Sequence, residues 1–127
     1  MHDKGETAVA RILIVDDAKF MRVTLGSILK KADHEIVGEA EDGKEAVHLY
    51  NQLQPDLVMM DITMPEMSGL VAVRVIKRDN PNAKVIMCSA MGQQKVVVES
   101  IEAGAKDFII KPFDEGRVLE AVNRVLS

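Results

Sequence analysis

Leu57-Val58-Met59-Met60-Asp61-Ile62-Thr63-Met64-Pro65 decides how this chain is read. Four consecutive apolar residues suit a strand buried on both faces, and Pro65 marks the loop that follows. Asp61 therefore stands where a buried strand gives way to a loop. The same arrangement occurs three more times. Asp16-Asp17 follow Ile12-Leu13-Ile14-Val15, Ser89 follows Val85-Ile86-Met87-Cys88, and Lys111 follows Phe108-Ile109-Ile110 and precedes Pro112. If these strands are parallel neighbours, all four groups meet at one edge of one sheet. Carboxylates with one lysine and one hydroxyl make a place to hold a divalent cation and a phosphoryl group.

Outward from these stretches, strand-like and helix-like periods alternate. Strands are predicted over 10–15, 35–40, 56–60, 84–88 and 106–110. The second is the more polar and belongs at an edge. The first helix has Phe20, Met21, Val23, Thr24, Leu25, Ile28 and Leu29 as its inward stripe, with Arg22, Lys30 and Lys31 outside. Helices follow over 43–53, 68–79 and 93–103, the third stopped by Asn80-Pro81 and the fourth by Gly104. Asp114 caps a last helix that buries Val118, Leu119, Val122 and Val125. Alternating βα units imply an α/β fold: one doubly wound, five-stranded parallel sheet with helices on both faces. With the second strand at an edge, the order expected is 2-1-3-4-5, a common one among doubly wound sheets, in which the crevice opens at the carboxyl ends of strands 1 and 3. Those ends carry Asp16-Asp17 and Asp61.

Composition narrows the function. The 127 residues fit one domain, 10–127, after a polar extension over 1–9 expected to be frayed. Net charge is -4 with lysines and arginines scattered, which argues against a nucleic-acid partner. No apolar run approaches the roughly 20 residues of a spanning helix, so no membrane role is expected. Cys88 is alone, which rules out an internal disulfide and fits a reducing cytoplasm.

Carboxylates converging without a counter-ion repel by roughly 4 kcal/mol per close pair, taking about 4 Å and an effective dielectric of about 20. Lys111 offsets one charge. A hard divalent ion does better, and magnesium suits few carboxylates, several waters and a phosphate oxygen. His2, His34 and His48 lack the spacing of a zinc site. Phosphoryl transfer needs in-line positioning and charge neutralisation more than acid–base groups. Asp61 is the candidate nucleophile, forming an aspartyl-phosphate, with Lys111 neutralising charge and Ser89 donating to a phosphoryl oxygen.

Asp16-Asp17, the run from Asp61 to Gly69, Ser89-Ala90 and Lys111-Pro112-Phe113 together resemble the response-regulator receiver domain. The similarity covers nearly the whole chain after residue 9. The stretches 88–94 and 103–108 look most like stand-alone chemotaxis regulators of that family. The resemblance implies a flavodoxin-like fold and a two-component signalling role: Asp61 accepts a phosphoryl group from a histidine kinase. It also implies magnesium, with manganese able to substitute, held by Asp17, Asp61 and the Thr63 backbone carbonyl, and by Asp16 through water. Ser89 and Phe108 would be the switch pair, Phe108 turning inward as Ser89 moves toward the phosphoryl group. The Lys111–Pro112 bond would be cis. A flagellar motor switch protein and a phosphatase are the further partners implied, with a monomeric, cytoplasmic protein that is not a turnover enzyme.

Each residue alone has a plainer reading. Asp16-Asp17 could simply favour the dipole of the first helix, Asp61 could shape a turn, and Phe108 could be core. The methionines are read as core or rim filler, and Val96-Val97-Val98 cannot all face one core. Among rival functions, a haloacid-dehalogenase-type phosphatase needs a second aspartate where Thr63 stands. A flavin carrier needs aromatics, here 3%. A phosphorelay intermediate and a non-phosphorylated docking receiver are the closer alternatives.

Overall fold

The computed structural model describes residues 9–127, so the polar extension, apart from Val9, lies outside the described residues. Five strands and five helices alternate: β1 (Arg11–Val15), α1 (Lys19–Lys31), β2 (Glu35–Ala40), α2 (Gly43–Leu53), β3 (Leu57–Asp61), α3 (Gly69–Asp79), β4 (Val85–Ser89), α4 (Gln94–Glu102), β5 (Asp107–Ile110) and α5 (Glu115–Leu126). The strands are all parallel, in the order β2-β1-β3-β4-β5. β2 is an edge, as its polarity predicts.

Side-chain alternation along the strands builds two apolar layers. Leu13, Val15, Val58, Met60, Val85, Met87 and Phe108 pack on one face with Ala46, Tyr50, Ala72, Val73 and Ile76 from α2 and α3. Ile12, Ile14, Leu57, Met59, Ile86, Cys88 and Ile109 pack on the other with residues of α1 and α5. Each fully buried Leu or Ile contributes roughly 1.5–3 kcal/mol. β1, β3 and β4 are covered on both sides, which is why they are nearly continuous apolar runs.

Three helices begin at side-chain caps: Asp42, Ser68 and Asp114 accept from the amides of Glu45, Val71 and Arg117. Ser68 therefore stands just outside α3. The last residues of β3 and β4 are Asp61 and Ser89 themselves, one position beyond the predicted strand ends, because the ladder continues until Asp61 pairs with Cys88 and Ser89 with Ile110. Both polar groups are thus carried by the rigid sheet.

The predicted stripe of α1 needs correction. Phe20 and Val23 are 74% and 58% exposed, while Leu25, Ile28 and Leu29 are buried. At 3.6 residues per turn, Phe20 and Val23 lie about 140–160° from Leu25, on the solvent face. Arg22 stands only about 60° from Leu25. Its side chain is 10% exposed instead of facing outward.

α4 is the least embedded helix. Ser100 is its one buried residue, Val96 and Val97 pack partly, and Val98 and Ile101 are exposed.

Candidate functional site

Because β1 and β3 are adjacent and parallel, their carboxyl ends bring Asp16 and Asp61 to the same edge. One oxygen from each of Asp16, Asp17 and Asp61 can be chosen so that the three lie within 4.8 Å of one another. Asp16 and Asp61 are buried and Asp17 is exposed. Lys111, just past β5, reaches across β4: its Nζ lies 2.5 Å from Asp16 Oδ2 and 3.1 Å from Asp61 Oδ1. The four residues form one constellation from three separate parts of the chain.

Ser89 sits at the end of β4, between β3 and β5. Its Oγ accepts from the Met91 amide at 3.0 Å, and its carbonyl accepts from the Lys111 amide at 2.9 Å. In this structure the hydroxyl is engaged with its own loop. Phe108 is 7% exposed and lies on the same sheet face as Met87 and the partly buried Val96 and Val97. Thr63 is exposed in the loop between β3 and α3. The Lys111–Pro112 peptide is cis.

Electrostatics follow from this crowding. Burial pushes the Asp61 carboxyl up, and the nearby Asp16 charge pushes it further, against the opposing pull of Lys111. For Lys111, burial alone would lower the ammonium's pKa. The hydrogen bond to Asp16 and the charges of Asp61 and Asp16 outweigh it, so the group is held above its ordinary value. Lys111 is therefore a firm cation, and Asp61 a carboxylate that gains from any further positive charge.

The donor set fits magnesium. It is all oxygen, and two ligand oxygens on one such ion stand about 3–4 Å apart. A triad within 4.8 Å is close to that spacing, with Asp17 on the open side where waters can complete the shell.

Three further residues support the site, of which Arg22 and Asp107 were not legible in the motifs. Arg22 donates to the Asp16 carbonyl at 2.7 Å and to Glu39 Oε1 at 2.8 Å, tying α1 and β2 to the acidic pair. Its position near the buried side of α1 was the available signal. Gly69 has no room for a side chain: a Cβ there would lie 1.9 Å from the Asp61 carbonyl oxygen. Asp107 accepts from Arg117 and Arg124, and Arg117 also donates to the Phe108 carbonyl, fastening β5 to α5. Asp16 Oδ1 accepts from the Ala18 amide at 2.9 Å, closing a turn just ahead of α1; the first turn of that helix holds no acidic residue, so the dipole reading of the acidic pair gains no support.

Comparison with known proteins agrees with this geometry. The model of the response regulator receiver domain matches residues 12–123. The chemotaxis protein CheY of Thermotoga maritima is 60% identical, covering 91% of this chain and 96% of its own length. CheY of Bacillus subtilis is 58% identical, over 92% and 98%. Among solved structures, the CheX-CheY-BeF3-Mg complex from Borrelia burgdorferi superposes with a TM-score of 0.90 at 39% identity, covering 92% of this chain and 89% of that one. By its fold, its acidic pocket and this similarity along nearly its whole length, the chain belongs to the response regulator receiver domain family and is CheY-like within it.

Proposed function

We propose that this protein is a phosphorylation-driven switch for chemotaxis, modified on Asp61 by a histidine kinase. The observation that carries the reading is the joint placement of Asp16, Asp17, Asp61 and Lys111 at one sheet edge. In the transfer, an Asp61 carboxylate oxygen attacks phosphorus, the P–N bond of the phosphohistidine breaks, and the imidazole leaves with the electron pair. Lys111 offsets the charge on the phosphoryl oxygens, and Ser89 Oγ leaves Met91 to donate to one of them. Asp17, Asp61 and the Thr63 carbonyl would hold magnesium, with Asp16 acting through water. Bound there, the ion neutralises charge on the transferred group.

The protein is a signalling molecule, with output by protein–protein contact. Met91, Val98, Ile101 and Ile110 are large apolar residues left exposed on and beside α4 and β5, next to the buried Phe108. A face this apolar beside a weakly embedded helix suits a partner whose binding depends on where Phe108 rests. A flagellar motor switch protein is the favoured target. The alternative, a phosphorelay intermediate, would use the same acceptor. The structure of the Borrelia CheY with CheX supports a CheX-type partner as well. No helix among the described residues is long and apolar enough to cross a membrane, in keeping with a cytoplasmic role. Thr63 and Met91 offer no carboxamide or carboxylate to orient water, so loss of the phosphoryl group unaided is slow.

Incubation with acetyl phosphate, with and without magnesium, followed by intact mass measurement, tests the reading. A magnesium-dependent gain of one phosphoryl group that disappears in Asp61→Asn is expected. Phosphorylation elsewhere, or none, contradicts it. Capture of the motor protein by the modified form only then separates motor control from relay.

A further inference from the structure

The loop over residues 62–68 leads directly out of Asp61 and carries Thr63. Hydrogen bonds pin it on two sides. The Gly69 amide donates to the Ile62 carbonyl at 2.8 Å, and the Gly43 amide, at the start of α2, donates to the Met67 carbonyl at 2.9 Å. Between these points the Met67 amide donates to Pro65, and Glu66 takes a left-handed backbone with φ of 66°.

The Gly43 contact is closer than any other residue would permit. A Cβ at this position would lie 2.3 Å from the Met67 carbonyl oxygen and 2.9 Å from its carbon. These are backbone atoms, so no side chain can swing aside. The carbonyl would have to retreat by about 1 Å to reach ordinary contact. α2 is poorly placed to yield. Ala46 and Tyr50 anchor it in the core and the Asp42 side chain caps it, whereas Thr63, Pro65 and Glu66 in the loop are exposed. Helix propensity alone would favour alanine over glycine here. The only cost of a methyl group is therefore the displacement of the loop.

We infer that Gly43 is a positioning residue for the metal-binding side of the pocket: by seating the first turn of α2 on the Met67 carbonyl, it sets where the loop holds the Thr63 carbonyl relative to Asp61. The inference rests on the role proposed above for Thr63, and deepens it. Asp61 itself is carried by β3 and Lys111 directly follows β5, so neither depends on this contact. Removing the contact should weaken magnesium binding without disabling the acceptor. Reciprocally, magnesium should tighten the Gly43–Met67 bond, since coupling between two sites runs both ways.

Calorimetric titration of the full chain with magnesium chloride tests this. Gly43→Ala should raise the magnesium Kd by about tenfold or more, the usual effect of losing a support behind a ligand. At saturating magnesium the variant should still gain one phosphoryl group from acetyl phosphate. Gly26→Ala is the control, since a Cβ there meets only Ile14 Cδ1 at an ordinary 3.7 Å. It should leave the Kd unchanged. A folded Gly43→Ala with lower thermal stability but unaltered Kd would mean a merely structural glycine and overturn the inference. Should the variant fail to fold, amide exchange in the parent decides. Slower exchange of the Gly43 amide on adding magnesium supports the inference, and unchanged exchange sinks it. A parent chain that binds no magnesium would remove the functional reading and this inference together, whereas a parent that binds normally isolates the fault here.

Discussion

Lys111 Nζ is held closer to Asp16, at 2.5 Å, than to Asp61, at 3.1 Å. The lysine compensates Asp16 more fully than Asp61. Asp61 is left as a buried carboxylate whose ionisation is opposed by burial and by Asp16. That imbalance sets the behaviour of the metal-free protein.

Asp61→Asn should stabilise the metal-free protein at neutral pH by about 1–2 kcal/mol, since it removes a poorly compensated buried charge and keeps an acceptor for Lys111. The sign follows from the raised folded-state pKa. The penalty of ionised Asp61 is fully present above that raised value and absent below the ordinary carboxylate value. The gain should accordingly fade as the pH falls through the interval between them. Thermal melts of both proteins over a pH series check this, and a less stable asparagine variant at neutral pH would contradict the electrostatic account.

Lys111→Ala should cost about 3 kcal/mol at neutral pH, because it leaves two buried carboxylates without their cation. The folded-state pKa of Lys111 is raised. Its contribution is thus present below the ordinary lysine value and lost as the pH climbs through the raised one. Urea unfolding should show the gap between parent and variant narrowing in strong alkali. It should narrow again in acid, where the carboxylates protonate. A gap constant across this range would mean the lysine acts by packing alone.

Magnesium at about 100 times its Kd should stabilise the parent by about 2.7 kcal/mol. Asp17 is exposed and pairs with no cation among the described residues, so Asp17→Asn should change metal-free stability by no more than about 0.5 kcal/mol. It should nevertheless abolish most of the magnesium-induced rise in Tm. An undiminished rise would take Asp17 out of the ligand set.

The sheet was readable because its signal is redundant. Ile12–Val15, Leu57–Met60 and Val85–Cys88 are each apolar on both faces, and each runs directly into a polar group, a carboxylate twice and a hydroxyl once. Parallel pairing then brought Asp16, Asp61, Ser89 and Lys111 to one edge. The face of α1 was harder to read. Phe20 and Val23 are apolar but stand opposite Leu25, Ile28 and Leu29, and composition does not reveal angle. Arg22 was missed for the complementary reason: a charged residue was assigned to water, although its guanidinium finds the Asp16 carbonyl and Glu39. Gly43 gave no chemical signal either, since what it supplies is the absence of a side chain beside a backbone carbonyl.

Cys88 lies beside Asp61 in the sheet register, 2% exposed. Burial, with the neighbouring acids adding to it, pushes its thiol up to about 12. A reagent for thiols therefore finds neither access nor thiolate while the strands stay paired. This solitary thiol makes the chain its own stopwatch: the pace of alkylation reports how often the sheet parts directly beneath the acidic cleft, with no dye or tag introduced.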